Sequence, residues 1–370
     1  MTNKNDNSNS KYRNFYVLGD SLSDNGAIIG ILNNLSFAKS VKFDDPFYQG
    51  RSFSNGPTAV EYIAKYLDLD EFKPGWSYSF FGRCHEQQGQ NYAVSYATAS
   101  EIFDPIFSYF FNKFRLANQL DAVIKHHPDI GKEDLFCIII GGNDVMVATA
   151  YDDTKAEEVL EQAVSEICNA LKVLNEHGVK HVVVANAPEV GLIPAFNRDE
   201  EARELATKLT ESFNAKLAKG LDYMKKSTNL EIKAFDLNSK MRSMFSEYKS
   251  KGLNCQDACT SNIADQIGRF KENIKILLKL IFTGELDVHY NPGCSEETLK
   301  DYFFFDYFHP TAGLHHEVGY CMELREPVVS MIRKKSKEPI SEDESTDAKN
   351  RGGSAHSSEE VSVMEMERRS

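Results

Sequence analysis

The chain has 370 residues, 41% of them hydrophobic and 11% aromatic, and a formal net charge of −13. That size and apolar content support one large folded domain with extensions, or two small ones. The negative charge argues against a sequence-independent nucleic-acid binder, which needs a positive surface to displace counterions. No apolar run reaches the ~20 residues of a membrane-spanning helix. The seven cysteines form no Cys-x-x-Cys pair and no zinc-finger spacing.

Residues 1–13 are polar, lack the apolar core of a signal peptide, and are expected to be disordered. A first strand is expected at 14–18. It runs into Gly19-Asp20-Ser21-Leu22-Ser23-Asp24-Asn25-Gly26. A serine at the carboxyl end of a parallel strand stands where open α/β sheets place their ligands. Amides at the following helix start can help to bind an oxyanion. Taken alone, the same residues read equally as a glycine-rich turn with Ser or Asp capping a helix.

Helices are expected at 57–66, 112–127, 154–177 and 198–226. Strands are expected at 91–95, 135–140, 181–186 and 231–236. This alternation predicts an α/β fold: three layers, α/β/α, around a parallel sheet of about five strands, flavodoxin-like. Unbroken apolar runs such as 137–140 and 182–184 suit strands buried on both sides. Directly after one strand comes Ile140-Gly141-Gly142-Asn143-Asp144. The Asn143 amide can donate to a developing oxyanion, although Gly-Gly-Asn-Asp is turn chemistry anywhere.

Residues 260–293 interrupt the alternation. Ile263, Ile267, Phe270, Ile274, Leu277, Leu278 and Ile281 recur at helical spacing there, with Lys271, Glu272, Lys275 and Lys279 mostly elsewhere. Such a helix either packs on the core or serves as a lid or membrane contact. An aromatic segment at 102–111 suits an acyl pocket or the core. Next comes Asp306-Tyr307-Phe308-His309-Pro310-Thr311. A serine hydroxyl is a poor nucleophile until a held base takes its proton. An acid three residues before a histidine on one turn supplies both base and orienter. His315 and His316 lie further along the helix and suit the role less well. The hydrolase domain is expected to span 14–336. Residues 337–370 are expected to form a disordered tail: Glu338 to Ser370 hold nine acidic and four basic residues and no aromatic one.

As an ordered set the three motifs resemble the SGNH/GDSL hydrolase family. The resemblance implies an enzyme that hydrolyses carboxylic esters with Ser21 as nucleophile and Asp306 and His309 completing the triad. It implies an oxyanion hole from Ser21, Tyr96 and Asn143, and needs no metal or cofactor. Two further stretches, Gly50-Arg51-Ser52-Phe53-Ser54-Asn55-Gly56-Pro57 and Phe304-Phe305-Asp306-Tyr307-Phe308-His309-Pro310-Thr311, are similar to blocks of its bacterial phospholipase A and glycerophospholipid:cholesterol acyltransferase branch. They imply a phospholipid or other acyl-ester substrate, acyl transfer as a variation, and peripheral membrane contact. Where the family carries Gly-Gly in a second block, this chain has Ser95-Tyr96. A tyrosine is strained there if positive φ is required. Members of this branch carry a cysteine pair where Cys259 and Cys294 stand. The pair can close a disulfide or, in a reducing cytosol, stay as two thiols, and Cys255, a third thiol in the same region, leaves the pairing open.

Other readings remain open. The same fold hosts carbohydrate acetyl esterases. A catalytically impaired lipid-binding module is kept open by Tyr96, and a metal-dependent phosphodiesterase would use Asp20, Asp24, Asp144 and His309. The Glu-rich end is similar to C-terminal translocation signals of effectors that intracellular bacteria inject into host cells. It sets signal-peptide-independent export against residence in the cytoplasm.

Overall fold

The computed structural model describes residues 12–35, 45–69, 72–78, 84–86, 89–102, 112–261 and 288–322. The apolar segments Phe15–Gly19 (β1), Leu135–Ile139 (β2), His181–Ala185 (β3) and Glu231–Phe235 (β4) form one parallel sheet in the order β1-β2-β3-β4. Successive side chains of a strand point to opposite faces, and all five residues of β1 and of β2 are buried. Both faces are therefore covered. At the outer edge β4 buries Ile232 while exposing Glu231 and Lys233. The register brings Gly19, Ile139, Ala185 and Phe235 level at the carboxyl edge.

Eight helices complete the described layers: Ala27–Leu35 (α1), Ala59–Tyr66 (α2), Leu116–His126 (α3), Gly142–Ala148 (α4), Asp153–Glu176 (α5), Glu200–Ser227 (α6), Leu237–Ser250 (α7) and Ala312–Cys321 (α8). Their ends are chemically marked. Asp152, Asp199 and Asp236 accept the Lys155, Ala202 and Ser239 amides as N-caps of α5, α6 and α7. Lys225 and Lys226 lie in the last turn of α6, where cations suit the helix dipole. Helices α3 to α6 pack on one another, and α8 packs against α2 and α7.

The expected α/β class and three-layer parallel arrangement are present, with four strands in the sheet among the described residues. Segment 91–95 runs beside β1, where Tyr92 and Val94 amides donate to the Val17 and Gly19 carbonyls. With β1 it makes a single bridge, Val17 with Asn91. The ladder stops because the Gly19 amide, which the next rung would need, donates to Gln119 Oε1 of α3 at 2.8 Å.

Beyond the sheet, Asn254–Ala258 (β5) and Tyr302–Phe304 (β6) form a separate parallel pair. β6 delivers the chain into the turn at 305–311. Cys259 and Cys294 are disulfide-bonded with Cα atoms 5.3 Å apart, beside a short pairing of Thr260–Ser261 with His289–Tyr290. The amphipathic helix expected within 260–293 falls on 262–287, which lies outside the described residues. So do nearly all of the aromatic segment, the tail and the N-terminal end.

Candidate active site

Ser21 is presented by a turn that only glycine can start. A Cβ on Gly19 would lie 2.4 Å from the Ile139 carbonyl oxygen. The Gln119 amide brackets this residue, accepting from its N–H and donating to its carbonyl, each at 2.8 Å. Asp20 then closes the turn. Its carbonyl accepts the Ser23 and Asp24 amides, and its Oδ1 accepts Leu22 N at 3.0 Å. Asp20, Ser23, Asp24 and Asn25 are buried, while Ser21 is partly exposed. Burial pushes the Asp20 carboxyl up to about 7, against the opposing pull of the Leu22 amide and of His309.

Ser21 Oγ lies 2.7 Å from His309 Nε2. On the other side of the ring, His309 Nδ1 lies 2.8 Å from Asp306 Oδ2 and 2.9 Å from Oδ1. Asp306 is fully buried and His309 is 6% exposed. The turn is self-bracing: Asp306 Oδ1 also accepts the Phe308 and His309 amides at 2.8 and 2.7 Å. The carboxylate thereby fixes the backbone that carries the imidazole as well as the ring. With Nδ1–H donated to Asp306, Nε2 is left to accept the Ser21 proton.

The third component is the loop 95–100, fastened at both ends by buried carboxylates. Asp24 Oδ1 accepts the Gly26 and Ala27 amides at the start of α1, and Oδ2 accepts Ile28 N, Ser95 N and Ser95 Oγ. Asp144 in α4 accepts Ala99 N at 3.0 Å, Ser100 N at 2.8 Å and Ser100 Oγ at 2.6 Å. Burial pushes both carboxyls up, and these donors pull the other way. Between the anchors, Tyr96 sits at φ 69°, the left-handed region that favours glycine. Its ring packs edge-on against Phe53 at 6.1 Å. Asn143 joins the same loop, donating one amide hydrogen to the Ala97 carbonyl at 2.8 Å. Gly141, at φ 122°, turns the chain into α4, and a Cβ there would strike the Phe213 ring.

A profile of the GDSL-like lipase/acylhydrolase family matches residues 15–322. The chain belongs to this family. It is 27% identical over 230 residues to GDSL esterase/lipase At3g50400 of Arabidopsis thaliana, a match covering 55% of this chain and 61% of the relative, less than two thirds of its length. It is 24% identical over 326 residues to GDSL esterase/lipase At2g19010 of the same plant, covering 80% of this chain and 84% of the relative. Among solved structures it resembles Est24, a carbohydrate acetylesterase from Sinorhizobium meliloti, at 11% identity and a TM-score of 0.38, covering 87% of this chain and 100% of that one. It also resembles an extracellular lipase of Streptomyces rimosus, at 17% identity and a TM-score of 0.33, covering 62% of this chain and 82% of that one.

Within this family member, Ser21, Asp306 and His309 form one hydrogen-bonded line, and Tyr96 and Asn143 meet on one loop. A cation would find little at the other acids. The Asp24 oxygens accept five protein donors and those of Asp144 three, so most of the lone pairs a metal would need on these two acids are occupied. His315 is also buried. Its Nδ1 faces the Ala59 amide at 3.3 Å, and burial together with nearby His309 pushes it down to about 3, so it stays neutral. His316 is exposed beside Tyr62.

The sequence pattern did not show how the 50–57 block serves the site. Ser54 Oγ donates to the Pro310 carbonyl at 3.2 Å, and Asn55 Oδ1 accepts the Ala312 amide at 2.9 Å. A Cβ on Gly56 would lie 2.4 Å from the Ala312 Cβ. Phe53 stacks on the His309 ring with centroids 4.9 Å apart and planes inclined by 19°. Contacts across some 256 positions leave no local periodicity. The only signal was that the two blocks appear together.

Proposed function

We propose that this chain hydrolyses carboxylic esters, with Ser21 attacking the acyl carbonyl and His309, oriented by Asp306, taking the serine proton. The observation behind this reading is the unbroken line from Asp306 through His309 to Ser21, at 2.8 and 2.7 Å. Ser21 Oγ bonds to the carbonyl carbon, and the imidazolium returns its proton to the departing alcohol. Water, deprotonated by His309, then releases the acid and restores the serine. The Asn143 amide and the Ser21 and Tyr96 backbone N–H groups would receive the oxyanion. Asp144 and Asp24 hold the loop on which that oxygen would rest.

For the substrate we propose a lipid ester, with phospholipid deacylation as the finer reading. It rests on the similarity of the 50–57 and 304–311 blocks to the phospholipase A branch. Incubation with mixed phospholipids and mass spectrometry of the products tests it. Release of fatty acid and lysophospholipid by the parent but not by Ser21→Ala is the expected result. Hydrolysis confined to acetylated sugars or small acetyl esters would replace lipid with a carbohydrate or small-molecule acetyl ester. A fluorophosphonate that labels the parent and spares Ser21→Ala distinguishes an enzyme from a binding module.

A further inference from the structure

We infer that Phe53 is a positioning residue for the base, holding the plane of the His309 ring and favouring its protonated form through its aromatic face. The two hydrogen bonds of His309, to Asp306 at Nδ1 and to Ser21 at Nε2, lie in the plane of the imidazole. They fix where the ring edges point, but they resist rotation about the line joining the two nitrogens only weakly. Beyond the side chain's own attachment at Cγ, packing on the ring faces adds resistance to that tilt. Phe53 supplies it, nearly parallel to the ring at 4.9 Å and itself only 3% exposed. Phe308 meets the imidazole edge-on from further away, at 6.4 Å.

The ring of Phe53 is itself held. Phe47 packs on it edge-on at 5.8 Å and Tyr96 at 6.1 Å, in a buried cluster with Ile28, Cys259 and Phe305. One side chain therefore touches both the base and the tyrosine of the 95–100 loop. Next to it, Ser54 and Asn55 hold the chain just beyond His309 by two hydrogen bonds. A cation within about 6 Å of a ring centroid, on its face, is attracted by the ring quadrupole, more strongly where water is excluded. During turnover His309 becomes such a cation. The face of Phe53 thus stabilises the state in which the base holds the serine proton. The titratable groups facing His309 are Asp306 from its own turn, Asp20 from the Ser21 loop and His315 from α8.

The test uses the full chain with Phe53→Leu, and with pentafluorophenylalanine at position 53, which keeps the ring shape and reverses its quadrupole. The titration of the His309 ring is followed by NMR, its signal assigned by absence in His309→Asn. We expect the midpoint to move to lower pH by about half to one unit in both variants. The kinetic arm rests on the proposed ester hydrolysis. There we expect kcat to fall about three- to thirty-fold, with KM little changed, and the acid limb of kcat/KM to move to lower pH. An unmoved midpoint in the fluorinated protein overturns the proposal even if kcat falls, because packing alone would then explain the loss. If Phe53→Leu does not fold, the fluorinated ring decides, since its shape is preserved. If the parent hydrolyses no ester, the proposed function fails while the titration still decides the role of Phe53.

Discussion

The turn at 305–311 and the loop at 95–100 use the same residue type in opposite ways. In the turn, Asp306 accepts two backbone amides and still faces an imidazole nitrogen. At the loop, Asp24 and Asp144 instead accept from backbone amides and serine hydroxyls. Each carboxylate is buried, so each must be satisfied by donors. What differs is the donor. A carboxylate facing only N–H and O–H groups fixes a shape. One facing an imidazole also sets which ring nitrogen carries the proton, and that is chemistry. Asp20 stands between the two cases, buried beside His309 with a single side-chain bond to Leu22 N and a carboxyl pushed up to about 7.

The contrast makes graded predictions. Asp306→Asn should cost the most, roughly four orders of magnitude in kcat, because the amide presents an N–H to Nδ1 and inverts the tautomer. Steady-state kinetics on a short-chain ester measures it, and a loss below tenfold would remove Asp306 from the chemical side of the comparison. Asp144→Asn should instead show mainly as stability. Its NH2 would face a backbone donor at Ala99 or Ser100, costing about 1–3 kcal/mol by denaturant unfolding, with kcat lowered far less than by Asp306→Asn. Equal kinetic losses from the two would erase the distinction.

Asp20 should respond to pH. Its carboxyl is raised from the ordinary 3.8 to about 7 on folding, so between those values the folded chain holds a proton that the unfolded chain has released. Stability attributable to this site therefore falls as pH rises from about 4 to about 7. Asp20→Asn, which cannot ionise, should lose that slope. The difference in unfolding free energy between parent and variant should change steadily in the variant's favour across the window. A constant difference would mean that Asp20 ionises alike in both states.

The smallest effect is expected at Tyr96. Replacing it with glycine relieves a left-handed backbone worth roughly 1–2 kcal/mol. It also removes the ring contact with Phe53, worth about 0.5–1.5 kcal/mol. The two nearly cancel in stability, and kcat should stay within about tenfold, since a backbone donor survives any side chain. A rise of several orders of magnitude would mark the natural chain as an impaired enzyme.

The sequence alone pointed to the α/β class, to four strands of the sheet, and to Ser21, Asp306 and His309, which the structure brings into one hydrogen-bonded line; the oxyanion roles of Asn143 and Tyr96 came from the family resemblance. These signals are local: apolar runs, glycine at a tight turn, an acid three residues before a histidine. It misjudged 91–95 as a sheet strand, because the competing acceptor, Gln119 of α3, lies 100 residues from Gly19. Only the tertiary structure decided that Asp24 and Asp144 fasten one loop and that Cys259 meets Cys294. It likewise decided that the 50–57 block grips the chain around His309. Burial and partner choice depend on which segments the fold brings together, and side chains that meet across long separations leave no period in the chain to read.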